Sequence, residues 1–222
     1  MRIALGTVGM LGTVVALQAV GCGPPKVVPE RDVDLCQGAR WQTMPGDGMA
    51  PTVVSGDALA WIRFDTQRPP RAGDIVLFRT GEGPDDIHVS RAVGIGPTKV
   101  SFVDHLLMSN DVGALEHGED SDGCYGVDMG AKCTVFVEAQ PSDPPQRWRV
   151  QRQSGSEDDN RQSLGTWPVP AEHVFVAGDN RAVSQDSRAG AAGQGRPLPL
   201  TALLGRVVAV QRDGRCMPLA GT

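Results

Sequence analysis

Lysine is nearly missing from this chain: of 21 basic side chains only Lys26, Lys99 and Lys132 are lysines. Acidic residues outnumber basic ones, 26 against 21, and the formal net charge of −5 excludes a general nucleic-acid binder, which needs a basic face for phosphates. Aromatic residues reach only 5%, while Gly numbers 28 and Pro 17. With no long helical period and no internal repeat, this balance excludes a coiled coil or helical bundle and favours short strands joined by turns. No Cys-x-x-Cys occurs and the four histidines are scattered, so no metal and no cofactor is expected. The 222 residues, 40% hydrophobic and 21% charged, suffice for one domain or for one core carrying an inserted lobe.

The N-terminus is apolar from Ile3 to Val20, broken only by small residues and Gln18, and ends in Ala19-Val20-Gly21-Cys22. This reads as an export signal. The ending is similar to a bacterial lipobox, in which the Cys is acylated, although Ala19 stands where Leu is more usual. The alternative is an uncleaved anchor, which needs roughly 20 apolar residues. Either implies a membrane-anchored protein on the periplasmic or extracytoplasmic face, held by a lipid on Cys22 or by an N-terminal helix. Residues 23–35 then form a Pro-containing linker. The remaining Cys36, Cys124, Cys133 and Cys216 are even in number in an oxidising compartment, so two disulfides are expected. Three pairings are open; Cys124 with Cys133 closes a short loop, and Cys36 with Cys216 would then tie the ends of the domain.

Short apolar runs bounded by Gly, Pro and Asp predict strands at Asp57 to Phe64, Asp74 to Arg79 and His88 to Ile95. In the second, Ile75 and Leu77 alternate with Val76 and Phe78, so both faces should be partly covered. An acidic, Gly-rich tone then sets in, with strands around Thr134 to Ala139 and Arg147 to Gln153. Asp120, Asp122 and Gly123 partly fit a calcium loop, but Gly118 at its opening position has no side-chain oxygen, and a surface turn is the better reading. Strands return at His173 to Ala177 and Gly205 to Val210. The division expected is a core of residues 36–103 and 171–216 with an inserted lobe over 104–170.

Three separated segments carry a resemblance. The first is Met44-Pro45-Gly46-Asp47-Gly48-Met49-Ala50-Pro51-Thr52-Val53, followed by Gly56-Asp57. The second runs Arg71-Ala72-Gly73-Asp74-Ile75-Val76-Leu77-Phe78 and on to Val89-Ser90-Arg91-Ala92-Val93-Gly94-Ile95. The third is Gly178-Asp179-Asn180-Arg181-Ala182-Val183-Ser184-Gln185-Asp186-Ser187-Arg188. In this order they resemble the type I signal peptidases, membrane-bound serine-lysine proteases that remove signal peptides. The third segment matches that family's Gly-Asp-Asn-Arg-x-x-Ser-x-Asp-Ser-Arg throughout. The resemblance implies a mainly β fold, an antiparallel signal-peptidase-like core with a smaller inserted β-rich lobe.

It also implies a chemistry that these residues do not supply. A serine hydroxyl is a poor nucleophile until a base takes its proton, and the family uses a lysine whose pKa burial lowers. The nucleophile's position, just before Met49, is Gly48; the lysine's, just before Arg91, is Ser90; the oxyanion-donating serine's, two residues before the nucleophile, is Gly46. Lys99 lies nine residues past Ser90, too far along a strand at about 3.3 Å per residue to reach the same point. His88 is a candidate substitute base, since i and i−2 share a strand face. A backbone separation of about 6 to 7 Å is awkward for proton transfer over about 3 Å. Met49, Pro51 and Thr52 should shape the first turn. Gly178, Asp179, Asn180, Arg181, Ser184, Asp186 and Arg188 should form a braced turn, with Asp186, Arg188 and Arg181 in a charge network.

Three readings follow. The leading one is a tethered signal-peptidase-like pseudoenzyme that still binds extended peptides or signal peptides. The second is an active peptidase with a rearranged base such as His88, and the third is a structural or assembly lipoprotein that borrows the scaffold.

Overall fold

The computed structural model describes residues 36, 39–81, 83, 86–103, 106–121, 124–127, 132–140, 146–153, 165–188 and 196–219. The expected export signal with Cys22 and the whole of the linker lie outside these residues. No helix among the described residues is long and apolar enough to cross a membrane.

The chain is mainly β, and among the described residues the strands pair antiparallel, apart from one isolated parallel bridge. The large sheet is built from β1 (Arg40–Thr43), β2 (Ala58–Ile62), β3 (Ile75–Arg79), β4 (Ile87–Ile95), β11 (His173–Ala177), β12 (Leu198–Pro199), β13 (Leu203–Arg212) and β14 (Arg215–Pro218). Its order is β1-β2-β13-β3-β4-β11-β12, with β14 also paired to β13. The ten-residue β13 is the spine. Its Leu203–Arg206 part pairs with β3 and its Arg206–Gln211 part with β2, across two register shifts that bend the sheet. Gly205 permits this: a Cβ there would lie 2.2 Å from the Ile62 carbonyl oxygen. The β-branched run Val207-Val208 and Val210 suits a pleated surface covered on both sides.

The alternation expected in β3 is realised. Ile75 and Leu77 join Met49, Val53, Leu59 and Val207 on one face; Val76 and Phe78 join Ala92, Val174 and Val176 on the other. Fully burying side chains of this size stabilises by roughly 1.5–3 kcal/mol each.

Two three-stranded sheets complete the fold. One has the order β10 (Gly165–Val169), β5 (Thr98–Val103), β6 (Leu106–Ser109); the other β7 (Ala114–Ser121), β8 (Cys133–Gln140), β9 (Gln146–Gln153). Strand β5, which the sequence placed with the core segment, pairs with β6 and β10. Its Val100 and Phe102 pack with Trp148 and Val150 of β9 against Val93, Phe175 and Ala177 of the large sheet. The disulfides are Cys36–Cys216 and Cys124–Cys133. The first closes 180 residues of chain, the arrangement in which a crosslink removes most freedom from the unfolded state.

Candidate active-site cleft

The first turn leaves β1 through Met44 and Pro45 and closes on itself, with Val53 N–H donating to the Met49 carbonyl at 3.0 Å. Met49 is fully buried and anchors the turn from below. Its upper side, Gly46, Asp47 and Gly48, faces Ile87, His88, Val89 and Ser90 of β4 across an open cleft of about 370 Å³. Ser184 and Val183 of the third turn and Gly126 of the Cys124–Cys133 loop close the ends. The fold therefore brings all three motif positions, Gly46, Gly48 and Ser90, into one cleft with His88 and Ser184. Ser90 is 2% exposed.

The third turn is tied down by charge. Asp186 accepts from Gly178 N–H at 2.8 Å, from Ser184 Oγ at 2.6 Å, and from Arg188 Nε and Nη2 at 2.9 and 2.8 Å. Burial by itself pushes the Asp186 carboxyl up. The Arg188 charge, with the hydrogen bonds from Arg188, Ser184 and Gly178, outweighs it and holds the carboxyl below its ordinary value. Asp179 is gripped by Arg91 Nε and Nη2 at 2.8 and 2.6 Å and by Thr52 Oγ1 at 2.5 Å. Asn180 N–H reaches the Gly48 carbonyl at 3.1 Å, so the third turn directly positions the first.

Arg181 departs from the expected network. It pairs with Glu138 of β8, Nη1 to Oε1 at 2.7 Å, rather than with Asp186, and its Nε donates to the Gly178 carbonyl. Glu138 is 2% exposed and also accepts from Trp148 Nε1 at 3.1 Å and from Arg152 Nη2 at 3.4 Å. Sequence reasoning passed over Glu138, although a lone carboxylate in the apolar run Val135-Phe136-Val137 was a signal. It also passed over Gln151, whose backbone bonds Asp179 and Arg181 and whose side chain exchanges two hydrogen bonds with Tyr125. These contacts join β9 and the disulfide loop to the cleft.

His88 lies at the rim, its ring stacked on Phe78. Its Nε2 is 2.7 Å from Asp86 Oδ1 and 3.2 Å from Thr80 Oγ1. The hydrogen bond from His88, and after it the one from Thr80, holds the half-buried Asp86 carboxyl below its ordinary value. Lys99 sits in β5, 2.6 Å from Asp111. Among the described residues no three His, Cys, Asp or Glu side chains converge on a point that could hold a metal.

A family model for signal peptidase, peptidase S26, matches residues 38–211. Signal peptidase I of Rickettsia typhi is 31% identical over 123 residues, which cover 54% of this chain and 46% of that protein. Those of Pseudomonas fluorescens and Pseudomonas aeruginosa are 28% and 26% identical over 161 residues, covering 65% of this chain and 53% of each relative. The chain thus spans about half the length of the curated relatives it matches. With the matched region running from β1 into β13 and holding all three turns of the cleft, the chain belongs to the signal peptidase S26 family.

Proposed function

We propose that this chain is a signal-peptidase-like pseudoenzyme, tethered on the extracytoplasmic side of a membrane through its N-terminal segment, that holds extended peptides without cutting them. One observation carries the reading: the cleft offers Gly46 and Gly48 on one wall and Ser90 on the other, so nucleophile, oxyanion donor and amine are missing together. Such groups act as a unit, and the loss of several leaves little of the rate that any one supplies. Room for a ligand remains in the cleft, and its apolar Met44, Ile87, Val89 and Val183 suit small apolar side chains. The anchor is a lipid on Cys22, with an uncleaved helix as the alternative.

The test is incubation of the full chain in detergent with a peptide carrying an Ala-x-Ala cleavage site, followed by mass spectrometry. The natural chain is expected to leave the peptide intact, and the double variant Gly48→Ser with Ser90→Lys to cut it. The second reading, an active peptidase, is favoured by one observation, that His88 lines the same cleft as Ser90. Against it, His88 Nε2 is already held by Asp86 and Thr80. Cleavage by the natural chain that His88→Ala abolishes would establish that second reading and overturn the first.

A further inference from the structure

Strand β9 is the edge of its sheet, and only part of that edge is used. At Gln151 the backbone N–H donates to the Asp179 carbonyl at 2.8 Å and the carbonyl accepts from Arg181 N–H at 2.9 Å, an isolated parallel bridge centred on Asn180. Antiparallel pairing alternates, so Arg149, two residues back, presents its N–H and C=O on the same outward side. Neither group has a hydrogen-bond partner among the described residues. Beside this open edge lies a second cavity of about 220 Å³, walled by the apolar Pro51, Ile75, Trp148 and Leu219 and by Arg91, Arg147 and Arg149. It shares no lining residue with the cleft of the three motif positions. It is smaller than cavities that take drug-sized ligands, about 300–1,000 Å³, and suits a single apolar side chain.

We propose that the outer edge of β9 at Arg149, with the cavity beside it, binds an extended peptide in which one apolar residue is flanked by acidic ones. The backbone of such a peptide extends the bridge that Asp179–Arg181 begins, as strand addition does elsewhere. The alternation of β9 dictates the pattern. Trp148 is buried while Arg147 and Arg149 are exposed. An added strand therefore turns one side chain inward, beside Trp148 and Ile75, and its neighbours outward, alongside Arg149. The inward position is apolar, and the outward ones pair with a cation if they are acidic. The Arg91 guanidinium at the cavity does not compete, since Asp179 and the Gly73 carbonyl occupy it.

The probe is a fluorescein-labelled peptide, Gly-Glu-Leu-Glu-Thr-Gly, titrated with the full chain in detergent and read by anisotropy. Saturable binding is expected, weakened about tenfold by Arg149→Glu, by exchange of both acids for Lys, and by N-methylation of the Leu, which removes a backbone donor. The last arm uses the natural chain, so a folding defect in the variant cannot mimic it. An excess of Ala-x-Ala peptide should not displace the probe, because the cleft is separate. Absence of saturable binding, binding indifferent to N-methylation, or displacement by the Ala-x-Ala peptide would each overturn the proposal. The outcome of the cleavage assay leaves it untouched.

Discussion

Gly48 lines the cleft and Gly178 packs against its carbonyl, yet a side chain would mean opposite things at the two. A Cβ on Gly178 would lie 2.3 Å from Ser184 Cβ and 2.4 Å from the Gly48 carbonyl oxygen, so packing demands glycine there. A Cβ on Gly48 meets nothing closer than Ser184 Cα and Cβ at 3.7 Å, ordinary contact, and one on Gly46 meets nothing within 4 Å. Neither Gly46 nor Gly48 takes the left-handed backbone conformation seen at Gly56 and Gly73. The third turn is therefore glycine for structural reasons. The first is glycine where the fold would accept a side chain. The fold has room for a side chain at Gly46 and Gly48, which is why restoring one there is a fair experiment.

The largest effect should come from unpinning the braced turn. Asp186→Ala leaves the Arg188 guanidinium, whose side chain is 4% exposed, without its carboxylate, and should cost about 3–5 kcal/mol in urea unfolding. Gly178→Ala should cost about 1–3 kcal/mol through overpacking against Ser184 and the Gly48 carbonyl. Unfolding that is unchanged in either variant would erase the contrast between the two turns.

A smaller effect is expected with pH. The Asp186 carboxyl is held below its unfolded value, so its stabilisation is complete above the ordinary carboxyl range and is lost as pH falls through the folded value. Asp74 works in the opposite sense. Burial, only partly offset by the Arg71 N–H and by Arg206, raises its carboxyl, so that group disfavours folding as pH rises past the ordinary range. Urea midpoints followed downward from about pH 5 should fall more steeply for the natural chain than for Asp186→Asn. The smallest change should be Gly48→Ser, within about 0.5 kcal/mol of the natural chain, since the site is open.

Much of this was legible beforehand because local patterns carried it. The alternation of Ile75 to Phe78 announced a strand covered on both faces, and the even number of remaining cysteines announced two disulfides. The motif order placed Gly46, Gly48 and Ser90 in one site before any coordinates did. What escaped was set by pairing across long separations. Strand β5 reads like its neighbour β4, and only its register with β10, some 65 residues on, takes it out of the large sheet. Arg181 was expected beside Asp186 because they share a turn, but a guanidinium takes the buried carboxylate that geometry presents. That carboxylate was Glu138, 43 residues away.

The sequence alone determined the mainly β composition, the motif turns and the substitutions at the three catalytic positions, because these depend on residue type and short spacing. Tertiary structure decided that those positions face one open cleft, that the vacant glycines have room, and that the β9 edge is open at Arg149 beside a second cavity. Each of these is a statement about which backbones lie next to one another. Residue type does not encode that until the register of the sheets is set.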